Sequence, residues 1–316
     1  MRAVVPVLVL FVVACGAPPE ADWHDPAAPD GGAATSDAAP ARGCTGLTTQ
    51  PLDATWTVAG REVRVHIPAT YDPTRATPVV LNLHGLASDG NDQARISHMI
   101  ATSDTNGFIA VHPNGTGSTR GWNGGDCCNP AASSGIDDTA WFRTLLDQLE
   151  AKLCVDPARV FALGFSNGAF MAHRLGCELA DRIAAIGAVS GVIGIDTCTP
   201  SRPVPVFDVH GTSDFVIPYG GGGVNNNESV ATTINRWATN NGCSTTTTTV
   251  YDHGDATCVR RNGCTSGADV ELCTIDGGGH QWPGGESLGA FNGKKSDDLI
   301  ATDAAWAFFF THSLLE

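Results

Sequence analysis

An α/β domain with a mostly parallel central sheet, covered by helices on both faces, is the fold class that the sequence predicts. Three observations predict it. Short continuous apolar runs rich in β-branched residues recur at 79–83, 107–113, 160–163, 183–189 and 204–209, as strands buried on both faces require. Segments with apolar residues at helical spacing alternate with these runs, the pattern that builds a parallel sheet. From 44 to 316 no second linker divides the chain, and that length suits one large domain.

In chain order, the strand at 79–83 (VVLNL) ends in His84-Gly85, and 107–113 (GFIAVHP) repeats the design with Pro113 to stop it. A loop rich in Gly, Asn and Cys spans 114–135. Asp137, Asp138 and Thr139 then offer caps to a helix carrying Trp141, Phe142, Leu145, Leu146 and Leu149. Beyond Pro157 come a strand at 160–163, a turn at 164–168, and a helix at 169–179 with Phe170, Met171, Leu175 and Leu179. The strand at 204–209 ends in His210-Gly211, and 228–240 is helical by pattern, with Gly242 beyond its end. Two β-like runs flank the turn-rich segment NGCTSGAD at 262–269, the second being 270–275, and a last helix covers about 299–310.

The N-terminus reads differently. Arg2 and the apolar run that follows it resemble an export leader over 1–14, too short to span a bilayer as a helix. The sequence VVAC at 12–15 resembles a lipoprotein signal that would lipidate Cys15, with Gly16 favouring the outer membrane. Residues 15–43 are almost wholly Ala, Pro, Asp and Gly and are expected to be a disordered linker reaching roughly 30 Å. The folded domain is then 44–316. With 18 basic against 33 acidic residues, a net charge of −15, the chain lacks the basic face that nucleic acid requires. A monomer is expected, touching a membrane only through Cys15.

Eleven cysteines in an exported chain point to disulfides. A hairpin centred on 262–269 would set Cys258 opposite Cys273, leaving Cys243 to pair with Cys264. Partners for Cys44, Cys127, Cys128, Cys154, Cys177 and Cys198 do not follow from spacing. No zinc-type spacing occurs.

The pattern G-x-S-x-G occurs twice, at Gly164-Ser166-Gly168 and at Gly285-Ser287-Gly289. A serine hydroxyl becomes a nucleophile only with an imidazole to take its proton and a carboxylate to fix the imidazole. Ser166 sits between a strand and a helix, the setting of a nucleophile elbow; Ser287 has neither a strand before it nor a helix directly after. With the order Ser, Asp, His, the partners are Asp214, which follows a buried strand, and His280, within a glycine-rich turn. Asp208 is the weaker alternative acid, and His253 and His312 read as surface residues. The oxyanion hole is assigned to the amides of Leu86 and Asn167, and His84 is expected to be structural. Trp122 and Trp282 either line the cleft and bind substrate or belong to the core. Asp137 and Asp138 either contact substrate or cap the helix, capping being the simpler role.

LHG at 83–85, VHPNGT at 111–116, WN at 122–123, DCC at 126–128, GIDD at 135–138, GFSNGA at 164–169, HGTSD at 210–214 and GGGHQWPG at 277–284 together resemble the secreted esterases grouped as polyhydroxybutyrate depolymerases and feruloyl esterases. The resemblance covers about 50–312. It implies an α/β-hydrolase fold and a Ser-Asp-His carboxylic ester hydrolase that uses no metal or cofactor. The strands and helix between Ser166 and Asp214 leave no room for a large cap domain, so an open cleft suited to a polymer or a bulky ester is expected. Feruloyl-type esters of plant polysaccharides are the leading substrate, a polyester such as polyhydroxybutyrate the alternative, and a non-catalytic polymer- or carbohydrate-binding lipoprotein the reading of another class.

Overall fold

The computed structural model describes residues 44, 46–48, 50–128, 131–223 and 225–314; the leader, Cys15 and the linker up to residue 43 lie outside them. One ten-stranded sheet organises the domain. Its centre is parallel: β3 (Thr77–Leu83), β4 (Ile109–Pro113), β5 (Val155–Phe165), β6 (Ala185–Val189), β7 (Val206–Gly211) and β10 (Val270–Ile275). Antiparallel margins close it, with β1 (Asp53–Val58) and β2 (Arg61–His66) beyond β4, and β9 (Ala256–Arg261) and β8 (Thr247–His253) beyond β10. The order across the sheet is β1-β2-β4-β3-β5-β6-β7-β10-β9-β8.

The continuous apolar runs arise because the central strands are covered twice. Along β5, Val160 and Ala162 enter one hydrophobic core while Phe161, Leu163 and Phe165 enter the other, the two-residue alternation of a pleated strand. On the first face pack α3 (Asp138–Lys152), α4 (Asn167–Glu178) and α5 (Val230–Asn240), through Phe142, Leu145, Phe170, Leu175 and Trp237. On the second lies α6 (Ala301–Phe310), whose Phe309 stacks on Phe161 with ring centroids 4.8 Å apart. Each such side chain, fully buried, contributes about 1.5–3 kcal/mol. Asp137 caps α3 through the Ala140 amide at 2.9 Å, and Ser229 caps α5 through Thr232. Among the described residues no cap domain is inserted between Ser166 and Asp214, and no helix is long and apolar enough to cross a membrane.

Several boundaries differ from the sequence reading. β5 starts at Val155 and runs through Pro157, which is tolerated because the β3–β5 register shifts there and the ladder resumes at Val160. Residues 164 and 165 complete that strand, so α4 starts at Asn167 rather than 169. The β1–β2 hairpin and two short helices, α1 (Gly90–Ser97) and α2 (Met99–Asn106), carry no clear apolar run and have no counterpart in the sequence reading.

Five disulfides use every cysteine except Cys15: Cys44–Cys154, Cys127–Cys128, Cys177–Cys198, Cys243–Cys264 and Cys258–Cys273. Cys258 and Cys273 face each other in the β9–β10 register. This set fits an oxidising, extracellular compartment. Cys44–Cys154 spans 110 residues, a loop whose closure restricts the unfolded chain by about 4–5 kcal/mol in the chain-entropy model. The double variant Cys44→Ser/Cys154→Ser is therefore expected to lose about 2–5 kcal/mol of stability, read as a lower denaturant midpoint. An unchanged midpoint would mean that the N-terminal segment needs no staple.

Candidate active site

The site begins where β5 turns into α4. Ser166 occupies this turn at φ 52° and ψ −120°, a conformation that an L-residue holds only under constraint from its surroundings. Its amide donates to the Val189 carbonyl, and its carbonyl accepts from Ala169 and Phe170. The flanking glycines are required by contact. A Cβ on Gly164 would lie 2.1 Å from the Gly168 carbonyl oxygen, and one on Gly168 would lie 2.2 Å from that of Leu83. The elbow therefore presses directly on the end of β3.

Opposite it, the loops after β7 and β10 bring Asp214 and His280 together. His280 Nδ1 donates to Asp214 Oδ2 at 2.7 Å, which leaves Nε2 free to accept a proton. The other carboxylate oxygen of Asp214 accepts from the amides of Val216 and Ile217, at 2.9 and 2.8 Å. Burial works against the ionised carboxylate, but the hydrogen bond and charge of His280, with smaller contributions from His210 and the Ile217 amide, hold its pKa below the usual value. Phe165, the residue before the serine, packs on the His280 ring with centroids 4.9 Å apart. No hydrogen bond joins Ser166 Oγ to His280 Nε2; in sites of this kind that bond commonly tightens only on binding.

Asn167, the first residue of α4, has no carbonyl within its own helix for its amide. Neither that amide nor the Leu86 amide meets an acceptor among the described residues, so both remain available to an oxyanion. The side chain of Asn167 has a separate task. Its Oδ1 accepts from the Trp122 amide at 2.7 Å, and its Nδ2 donates to the Trp122 carbonyl at 3.0 Å. This two-point clamp holds the loop after β4 against the elbow. Trp122 Nε1 in turn donates to the His84 carbonyl at 3.0 Å, and the Gly115 amide donates to His84 Nε2 at 2.9 Å. His84 is thus structural, with its Nδ1 donating to the Gly85 carbonyl.

Trp122 and Trp282 must be withdrawn as substrate-binding residues, since both are fully buried. Trp122 tilts against His84, Trp141 and Phe142 on one side of the sheet. Trp282 lies on the other side, beside Phe165, with Nε1 donating to Thr302. Asp208, the alternative acid, faces His173 on α4 at 3.5 Å, with both side chains buried, and not His280. Asp138 is no cap: its two oxygens accept from Arg61 at 2.5 Å and from the Asn123 amide at 2.6 Å. Ser287 is exposed and accepts only from the Gly289 amide. Gln281 has no counterpart in the sequence reading. It donates to the Gly289 and Gly293 carbonyls and accepts from the Leu288 amide, fixing the loop that follows His280.

The bond from Gly115 requires His84 to be neutral, and burial pushes its pKa down to about 4, from an ordinary value of 6.5. The unfolded chain takes up this proton near 6.5 and the folded chain only near 4. Stability is therefore full above pH 6.5 and falls as pH drops through that window, by about 3 kcal/mol for this group. Buried His112, pushed down to about 3, acts with the same sign. In a urea titration at successive pH values, His84→Gln is expected to flatten the dependence between pH 6.5 and 4. A slope equal to the parent's would remove His84 as its source.

Several known proteins are similar to this chain. Feruloyl esterase B of Piromyces equi is 30% identical over 234 residues, covering 70% of this chain, and the chain spans only 42% of that protein's length. A probable feruloyl esterase C of Aspergillus terreus is 29% identical over 283 residues, covering 87% of this chain and 93% of the relative. The acetyl xylan esterase structure from Aspergillus awamori superposes with a TM-score of 0.60 over 82% of this chain and 98% of its own; at 15% identity it shares the fold. A family model described as phospholipase/carboxylesterase matches residues 68–242, more than half of the chain, and the chain belongs to that family.

Proposed function

We propose that the protein is a serine carboxylic ester hydrolase of the feruloyl esterase type, acting on hydroxycinnamoyl or related esters of plant polysaccharides. The observation that carries the chemistry is the His280–Asp214 hydrogen bond beside a serine on a strained elbow. In this reading His280 Nε2 takes the Ser166 proton as Oγ attacks the ester carbonyl, and the Leu86 and Asn167 amides receive the oxyanion. The C–O bond to the alcohol then breaks, with His280 returning the proton to the departing oxygen. Water repeats the sequence on the acyl-enzyme and releases the acid. Asp214 keeps the imidazole in the tautomer that these steps need. The feruloyl esterase relatives support the acyl class.

Labelling with a fluorophosphonate probe, followed by peptide mapping, is expected to modify Ser166. Modification at Ser287, or none, would sink the mechanism. Ser166→Ala should lower kcat by about 10⁴-fold or more, and Asp214→Asn by about 10⁴-fold, with little change in KM. Gly168→Ala should also abolish turnover, because the added Cβ drives the elbow off the Leu83 carbonyl. Turnover of methyl ferulate, acetylated xylan and polyhydroxybutyrate granules ranks the substrates, and activity on the granules alone would replace the feruloyl reading.

Export through the 1–14 leader, with lipid attachment at Cys15, is part of the same proposal and is supported by the five disulfides. A Cys15→Ser variant should leave the membrane fraction; one that stays there would exclude the lipid as anchor.

A further inference from the structure

Four of the large apolar side chains left exposed adjoin residues of the site: Leu86 follows Gly85, Phe215 and Val216 follow Asp214, and Phe291 touches Phe215. They divide by position. Leu86 stands on the oxyanion side, where a Cβ on Gly121 would touch its Cδ1. Phe215 directly follows Asp214, and Phe291 rises from the loop that Gln281 fixes immediately after His280. Their rings meet edge to face at 5.5 Å and 89°, while 54% of Phe215 and 83% of Phe291 remain open to solvent. Neither ring serves a hydrophobic core, so an exposed pair of this kind is unexplained by folding.

The chemistry of the site says which part of a substrate meets this pair. His280 must deliver its proton to the alcohol oxygen as the C–O bond breaks, so the alcohol leaves on the imidazole side and the carbonyl oxygen points to the amides of Leu86 and Asn167. Groups beyond His280 and Asp214 therefore face the alcohol portion. We propose that Phe215 and Phe291 form a stacking platform for a neutral carbohydrate carried by the leaving group, one sugar ring laying its C–H face on the aromatic surface. This rests on the ester hydrolase reading above and adds to it the side of the ester that carries specificity. A net charge of −15 agrees with a neutral rather than an anionic polymer.

The test uses the full chain and two esters of one acid, methyl ferulate and feruloylated arabinoxylan. Phe291→Ala, and Phe215→Ala/Phe291→Ala, are expected to raise KM for the arabinoxylan about tenfold with its kcat kept. The ratio of kcat/KM between polymer and methyl ester should fall by the same factor, and Phe291→Trp should restore it. Independently of turnover, Ser166→Ala should be retained on insoluble arabinoxylan and released when Phe291→Ala is added. Equal losses on both esters would assign the pair to the acyl group and overturn the proposal, as would unchanged retention on the polymer. A parent that binds arabinoxylan through Phe291 but is not labelled at Ser166 would keep the platform and overturn the ester hydrolase reading instead.

Discussion

The approach of Gly168 to the Leu83 carbonyl leaves no space for a side chain, and the site is assembled around that contact. It presses the start of α4 against the end of β3, so that the residue before α4 must turn sharply out of β5. Ser166 bears the cost in backbone strain, about 1–3 kcal/mol. The compensation comes from its surroundings: the Val189 carbonyl holds its amide, and the first turn of α4 engages its carbonyl. With the chain fixed there, the segment after β3 and the start of α4 both border the elbow: a Cβ on Gly85 would lie 3.4 Å from that of Ser166, and one on Gly121 would meet both Leu86 and Asn167.

Rigidity around the elbow is built from polar groups inside an apolar shell. Asn167 spends its side chain on the Trp122 backbone, Trp122 its indole N–H on His84, and His84 its free nitrogen on Gly115. Each buried donor of this chain of contacts finds an acceptor, as such groups must if they are not to destabilise the core. The aromatic residues near the site thus fall into two sets. Trp122, Phe165 and Trp282 are buried supports that set ring and loop positions, while Phe215 and Phe291 stand outside. Polar clamps within and open rings without are a division suited to a site that must be stiff at the reacting atoms and adaptable at its border.

How much of this could be read beforehand depends on the range of the interaction. The strands β3 to β7 and β10 were legible because burial on both faces leaves an uninterrupted apolar run. β1 and β2 were not, because one is half exposed and neither holds such a run. α1 and α2 are each eight residues long and meet at His98 in a left-handed conformation, which interrupts any helical period. At the site, the strand-turn-helix context of Ser166 and the chain order of Asp214 and His280 are local signals. The Asn167–Trp122 clamp joins residues 45 apart, and nothing in either neighbourhood announces the other. The same limit left the tryptophans undecided, because a Trp in a glycine-rich loop can turn either way until the shell around it is known.

The Cys44–Cys154 bond has a consequence for orientation. Cys154 stands at the start of β5 and Ser166 just past its end, and a strand of that length extends on the order of 30 Å. Cys44 is therefore held at the end of the sheet remote from Ser166. A solid support or fusion partner linked at that point would leave the edge that bears Ser166 unobstructed.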